Sequence, residues 1–273
     1  MNWSDIWPPA TITIFAWWFS TGLILLLVRL PQHRHLGLLI GFGAIAGLAG
    51  WGVVASAAHD TPTGVYCAFL CTLVIWGWHE ASFLMGKITG PRPLACPENV
   101  TGWRRFGYAA ATLIYHEVAL FLTLLLIAAL TWQSSNQTSL WIFALLFAMR
   151  LSAKFNIFLG VPNLTEEFFP AHLEHLKSYL PKKSMNWLMP ISLLACLSLI
   201  ALLGRELLAT SAGEGAVTAL TVFVTLTILG MIEHIFMITP LPDAALWRWA
   251  APVAAAKTPP IEDLKPDKKQ ENA

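Results

Sequence analysis

Long apolar runs, separated by short polar stretches, dominate the pattern along this chain. We predict seven membrane-spanning helices from these runs, at residues 9–30, 36–58, 64–86, 106–132, 138–160, 188–209 and 216–239. Each run has about the 20 residues that a helix needs to cross the hydrocarbon core of a bilayer. The expected fold class is therefore all-α, a polytopic helical bundle in a membrane, with residues 1–250 as a single domain.

The composition agrees with a membrane protein and excludes other classes. Of the 273 residues, 56% are hydrophobic and only 12% are charged, whereas soluble domains carry about 25% charged residues. The net charge of +1 supplies no basic field, so we expect no nucleic-acid partner. The four cysteines lack the spacing of a zinc or redox motif, which favours a packing role. Residues 251–273, rich in Pro and Lys, predict a flexible tail.

The distribution of Lys and Arg predicts the orientation of the bundle. When the connections between spans are assigned alternately to two sides, 16 of the 17 cations fall on one side and only Arg205 falls on the other. The positive-inside rule makes the side with 16 cations cytoplasmic. We therefore expect the N-terminus outside the cytoplasm and the C-terminal tail inside it.

Three adjacent His/Glu pairs interrupt the predicted spans. They are His79–Glu80, His116–Glu117 and Glu233–His234. An ionisable side chain inside a membrane costs about 3 kcal/mol, so such residues are candidates for function. All three pairs are expected toward the cytoplasmic ends of their spans, which puts them at a similar depth.

A polar segment between the fifth and sixth spans is expected on the same side. It reads NLTEEFFPAHLEHLKSY and carries Glu166, Glu167, His172 and His175. We predict an interfacial helix here that closes the polar layer from the cytoplasmic side, with the two histidines on one helix face. The alternative is a solvated amphipathic helix on the membrane surface. Its lipid-facing residues would be Phe168, Phe169, Leu173 and Leu176.

These histidines and carboxylates have the donor chemistry of a metal site. Neutral imidazoles and carboxylates bind zinc and iron, and dinuclear carboxylate-bridged centres take their ligands from several helices of a bundle. We predict a dinuclear iron site or a zinc site in this layer. The candidate ligands are His79, Glu80, His116, Glu117, Glu166, Glu167, His172, His175, Glu233 and His234. The alternative for each pair is an interhelical hydrogen bond or ion pair, since no HExxH motif is present.

The fifth span carries a second polar set, formed by Arg150, Lys154 and Asn156. We predict that this set contributes to a cofactor or substrate site. Arg150 is expected to pair with Glu80 or Glu117, or to meet an anionic substrate. Lys154 is nearer the membrane surface, where its ammonium group can extend to the interface.

Several segments resemble a known family. They include WGWHEASFLMGKITGPR, MRLSAKFNIFLGVPNLTEEFFPAHLEHLKSY and PLPDAALWRW. From about Trp3 to Trp249, the chain resembles the PuhE family, the photosynthetic complex assembly protein 2 family of purple phototrophic bacteria. The resemblance implies a bacterial inner-membrane protein, encoded with reaction-centre assembly genes and with a periplasmic N-terminus. It also implies a role in assembly of the reaction-centre and light-harvesting complex or in bacteriochlorophyll supply, and it assigns no catalytic residues.

Three function hypotheses follow. An assembly factor would contact membrane lipid, photosynthetic subunits and other assembly factors, and its histidines could be axial ligands of bacteriochlorophyll or haem. A membrane metalloenzyme would use di-iron oxidation or zinc hydrolysis on a tetrapyrrole, an isoprenoid or a quinone. A transporter is less supported, because the chain has neither an inverted repeat nor a pair of broken spans. His33 and His35, expected in a short loop, should tolerate alanine, whereas His79, His116 and His234 should not.

Overall fold

The computed structural model describes residues 3–164, 170–211, 213–239 and 243–250. Within these ranges the regular secondary structure is entirely helical. Its α-helices are α1 (Trp3–Val28), α2 (Gln32–Ser56), α3 (Pro62–Leu84), α4 (Gly102–Ala110), α5 (Ile114–Leu130), α6 (Thr138–Leu159), α7 (Leu188–Ala209) and α8 (Glu214–Phe236). Two short 3-10 helices follow α6 and α8, at Ala171–Tyr179 and Asp243–Trp247.

The number of helices long enough to cross a membrane confirms a polytopic membrane bundle. Six helices qualify by length and composition, namely α1, α2, α3, α6, α7 and α8. The pair α4 and α5 qualifies together but is bent by 67°. The prediction of one continuous helix over 106–132 is therefore wrong, although the count reaches seven when the bent pair is one span.

A segment of the connection that precedes α4 docks on the break between α4 and α5. The amide of Arg92 donates to the carbonyl of Ala111 at 3.1 Å, and the amide of His116 donates to the carbonyl of Thr89 at 3.1 Å. Gly90 lies between these contacts, and a Cβ there would be 2.3 Å from the oxygen of Ala111. The docked segment thus supplies hydrogen bonds at the break, and the close approach requires glycine.

Helix α3 lies at the centre of the bundle, in contact with α1, α2, α5, α6 and α8. Its Phe69 packs with Ile142 of α6 and Val222 of α8, and all three side chains are fully buried. Half of its most apolar window is buried inside the protein, and its mean hydropathy of 1.3 is the lowest of the six long helices. Because α3 faces other helices more than lipid, it can carry the polar residues His79 and Glu80.

The connections gather at two opposite ends of the bundle. At one end, the amide of Cys96 donates to the hydroxyl of Ser178 at 2.8 Å, which links the α3–α4 connection to the 3-10 helix after α6. At the other end, Asn136 donates to the carbonyls of Ser56 and His59. This alternation agrees with the sorting of the cations, and the cytoplasmic location of the basic end stays a prediction.

The 3-10 helix Ala171–Tyr179 is the helical segment predicted between the fifth and sixth spans. Leu173 and Leu176 are buried against Phe83, Leu84 and Leu113. Their assignment to a lipid-facing side is therefore wrong, because both side chains anchor the segment to the bundle. Glu166, Glu167, Phe168 and Phe169 lie outside the described residues, as does the predicted tail at 251–273.

A smaller expectation, that His35 lies in a short loop, is also wrong. Helix α2 starts early enough to place His35 in its first turn, where the buried ring donates from Nε2 to the carbonyl of Leu30 at 2.8 Å. Because alanine would remove this buried hydrogen bond, the structure favours a loss of stability in His35→Ala.

Candidate functional site: a buried polar layer

Six side chains of α3, α5 and α6 form what we call the polar layer: His79, Glu80, His116, Glu117, Arg150 and Lys154. Two ion pairs cross between the helices. Glu80 Oε2 of α3 accepts from Arg150 Nη2 of α6 at 2.9 Å, and Glu117 Oε1 of α5 accepts from Lys154 Nζ of α6. The predicted pairing of Arg150 with Glu80 is confirmed. The extension of Lys154 to the interface is wrong, because its ammonium group points inward to Glu117.

The polar layer is balanced in charge, with two cations and two carboxylates. The side chains of Glu80, Glu117 and Lys154 are only 9%, 13% and 18% exposed, whereas that of Arg150 is 41% exposed. A carboxylate or ammonium group that is largely removed from solvent needs an opposite charge close by. The two pairs therefore hold α3 and α5 to the same face of α6.

The two histidines of the polar layer are incompletely hydrogen-bonded. His116 is fully buried, and its Nε2 lies 4.0 Å from Glu80 Oε1, beyond hydrogen-bond distance. Neither of its ring nitrogens has a hydrogen-bond partner in the described part of the chain. His79 Nε2 lies 2.9 Å from the hydroxyl of Thr123, while its Nδ1 has no partner among the same residues. Both imidazoles thus keep nitrogen atoms that could contact a further group.

The third His/Glu pair, on α8, uses other partners. His234 Nδ1 donates to the carbonyl of Gly230 at 2.7 Å. For a neutral ring, Nε2 is then an acceptor, and it lies 2.9 Å from the hydroxyl of Ser152. Glu233 Oε1 instead accepts from the indole of Trp17 at 2.9 Å. Adjacent helical residues point about 100° apart, so one pair contacts two different neighbours.

Asn156 is not part of the polar layer but is linked through Ser192 to Ser152, the partner of His234. It is fully buried, and its amide donates to the hydroxyl of Ser192 at 2.9 Å, which joins α6 to α7. The predicted cofactor set is thereby divided, since Arg150 and Lys154 pair with carboxylates. Sequence reasoning missed the partners Trp17, Thr123, Ser152 and Ser192. Their only signal is a polar group within an apolar run.

The described residues do not gather the predicted metal ligands at one point. No group of three or more His, Cys, Asp or Glu side chains in the described ranges is arranged to hold a metal ion. Glu233 and His234 have the partners given above. His172 and His175 lie on the 3-10 helix, and Glu166 and Glu167 lie outside the described residues. A metal ion at the polar layer therefore stays a prediction.

His172 connects the 3-10 helix to the end of α3. Its Nε2 donates to the carbonyl of Leu84 at 2.8 Å. Burial lowers the pKa of His172, and the nearby His35, His175 and Lys87 add to the decrease, whereas the hydrogen bond to Leu84 opposes it. The folded protein thus holds this ring neutral more firmly than the unfolded chain does.

We expect the docking of the 3-10 helix on the end of α3 to weaken as the pH falls, because protonation would place a charge on the partly buried ring of His172. The pKa in the unfolded chain is about 6.5, so below that value the unfolded state binds the proton more readily and the free energy of docking decreases. Above about pH 6.5 the docking should keep its full stability. Hydrogen exchange of the amides around Leu84 and His172, corrected for the intrinsic pH dependence, measures this. His172→Gln should remove the effect and the exposed control His33→Gln should keep it; an unchanged effect in His172→Gln would refute the assignment.

Comparison with known proteins gives a family and one close relative. A family model described as "Protein of unknown function (DUF3623)" matches residues 3–258 of the chain. An "Uncharacterized 30.4 kDa protein in puhA 5'region" of Rhodobacter capsulatus is 38% identical over 251 residues, which cover 90% of this chain and 91% of that protein. No solved structure matches the chain.

Proposed function

We propose a function from the premise that the chain belongs to the DUF3623 family. In this proposal, the protein lies in the inner membrane and supports assembly of the photosynthetic reaction-centre and light-harvesting complex. The observation that carries this proposal is the Rhodobacter capsulatus relative, which is named for its position in the puhA 5′ region and matches nearly the full length of the chain. The PuhE family, which the chain resembles, is encoded with reaction-centre assembly genes. Both observations favour photosynthetic subunits and their assembly factors as partners.

In this proposal the polar layer is a framework that fixes the arrangement of α3, α5 and α6. The charges of Glu80 and Glu117 are already compensated by Arg150 and Lys154. A carboxylate that is paired with a cation is a poorer ligand for a metal ion, because the cation competes for the same oxygen atoms. The framework role explains why the charged residues occur in cross-helix pairs.

A metal-dependent function of the polar layer is the second candidate. The observation that favours it is the buried ring of His116, whose two nitrogens have no hydrogen-bond partner in the described ranges. Iron or zinc would then support chemistry on a lipid-soluble substrate, and bacteriochlorophyll or haem would be a further possible ligand of the imidazole. Metal analysis and an absorption spectrum of the purified protein separate the candidates. The framework role predicts no stoichiometric metal or pigment that depends on His116, and a ligand lost in His116→Ala would favour the second candidate.

Deletion of the gene in a phototrophic host tests the assembly function. We expect the amount of assembled reaction centre, measured by its photobleaching signal, to fall severalfold and to recover when the gene is restored. Total extracted bacteriochlorophyll should fall less than the assembled complex. A decrease of pigment that precedes and fully accounts for the loss of complex would instead indicate bacteriochlorophyll supply. An unchanged amount of complex would refute both roles.

A further inference from the structure

We propose that the basic end of the bundle carries a binding surface for the headgroups of anionic phospholipids. We call this surface the basic belt and define it by Trp103 and Arg104 of α4 together with Lys183 and Trp187 before α7. The partner is the membrane itself, through lipids with a phosphate and a net negative charge.

The C-terminal end of α6 and its cap residue Gly160 hold both parts of the basic belt at one depth. On one side, Arg105 of α4 donates to the carbonyl of Phe158 at 3.4 Å, and Phe106 packs edge-on against the ring of Phe158 with centroids 5.6 Å apart. On the other side, Asn186 donates to the carbonyl of Gly160 at 3.0 Å. Since Phe158 and Gly160 are two residues apart, the segments that they anchor lie at the same level of the bundle.

The side chains of the basic belt face outward. Trp103 is 86% exposed and Trp187 is 69% exposed. Arg104 and Lys183 are also exposed, and neither has a hydrogen bond or an ion pair with another described residue. The neighbouring Arg105, by contrast, donates to protein carbonyls and stacks over Phe158 at 4.6 Å. Arg105 thus holds α4 in place while Arg104 keeps its charge for an external group.

The charge around the basic belt is positive. Residues 86–111 carry four cations and one carboxylate, whereas residues 160–187 carry three cations and three carboxylates. Of these three carboxylates, Glu174 pairs with Lys177 at 3.2 Å, and Glu166 and Glu167 lie outside the described residues. The two connections together therefore have an excess of three cations. An excess of exposed cations attracts an anionic surface, and each Lys or Arg near anionic lipid strengthens binding by about 1 kcal/mol.

The aromatic residues favour a lipid partner over an acidic protein. Indole side chains prefer the boundary between headgroups and hydrocarbon, where the ring is buried and the N–H stays hydrated. The 67° bend turns α4 away from the direction of α5, so the short helix presents Trp103 and Arg104 beside the bundle. A cation and an outward-facing indole at the same depth fit one lipid molecule, because the cation can bind the phosphate while the indole contacts the start of the acyl chain.

Lipid binding to the purified full chain tests this proposal. After removal of endogenous lipid, the protein is titrated with phosphatidylglycerol or with phosphatidylcholine of the same acyl chains, and bound lipids are counted by native mass spectrometry. We expect the wild type to prefer phosphatidylglycerol. The double variant Arg104→Gln/Lys183→Gln should bind it more weakly, by about fivefold for each cation removed.

The matched control is Arg205→Gln, which removes an exposed cation from the opposite end of the bundle. It should bind phosphatidylglycerol like the wild type, and both variants should keep the thermal stability of the wild type. Equal affinity of the wild type for the two lipids would overturn the proposal. An equal loss in Arg205→Gln, or no loss in the double variant, would also overturn it. Full displacement by free glycerol phosphate would show that the surface takes a soluble anion and not a lipid.

Discussion

Replacement of Lys154 by Met is expected to lower the free energy of unfolding by about 3–5 kcal/mol, the usual effect of removing one partner of a buried ion pair. The ammonium group of Lys154 contacts Glu117, and both side chains are mostly removed from solvent. In the variant, the carboxylate of Glu117 would keep its charge next to apolar surface or would have to take up a proton. Reversible unfolding in mixed detergent micelles measures the difference.

The double variant Glu117→Gln/Lys154→Met is the control for this prediction. It removes both charges, so no unpaired ion is left inside the bundle. Replacement of a whole buried pair by uncharged side chains is often neutral, and we expect the double variant to recover most of the lost stability. If it is as unstable as Lys154→Met alone, the ion pair is not the cause, and packing of the lysine methylene groups would explain the loss.

The second large effect is expected for Gly90→Ala, at about 3 kcal/mol of lost stability, the upper part of the range for an overpacked site. The added methyl group would lie 2.3 Å from the oxygen of Ala111, 2.6 Å from the carbonyl carbon of Thr112 and 2.7 Å from the amide nitrogen of Leu113. All three atoms belong to the backbone and cannot rotate away. The docked segment would have to leave the α4–α5 break and lose the hydrogen bonds of Arg92 and His116.

Gly107→Ala provides the matched control, because it adds the same methyl group nearby. Gly107 lies within α4, and a Cβ there would have no atom within 4 Å. Alanine favours a helix over glycine by about 1 kcal/mol, so this variant should be as stable as the wild type or slightly more stable. Thermal unfolding of the two variants side by side measures the contrast. Equal stability of Gly90→Ala and Gly107→Ala would show that the docked segment does not support the break.

The long spans could be predicted from the sequence because a bilayer imposes one length and one polarity on every crossing. The break between α4 and α5 could not. The run from Phe106 to Trp132 is apolar and compatible with one helix. The segment around Gly90 that docks on the break comes from an earlier part of the chain, and a tertiary contact of this kind leaves no pattern within the run itself.

The polar layer was predicted in part for a similar reason. The depth of each residue in the membrane could be counted along its span, so the proximity of Glu80 and Arg150 followed from topology. The direction in which a side chain points from its helix could not be derived in this way, and neighbouring residues point about 100° apart. Glu233 and His234 were therefore expected to join the polar layer, but they contact Trp17 and Ser152.

Complementation of the deletion strain shows whether the polar layer acts through its arrangement or through its chemistry. The double variant Glu117→Gln/Lys154→Met is introduced into the deletion strain, and assembled reaction centre is measured at matched amounts of the variant protein in the membrane. The framework role predicts that the double variant restores the complex to near the wild-type level, whereas Lys154→Met alone does not accumulate. A double variant that is present in full amount and fails to restore the complex would contradict the framework role, because those two charged groups would then be needed for function itself.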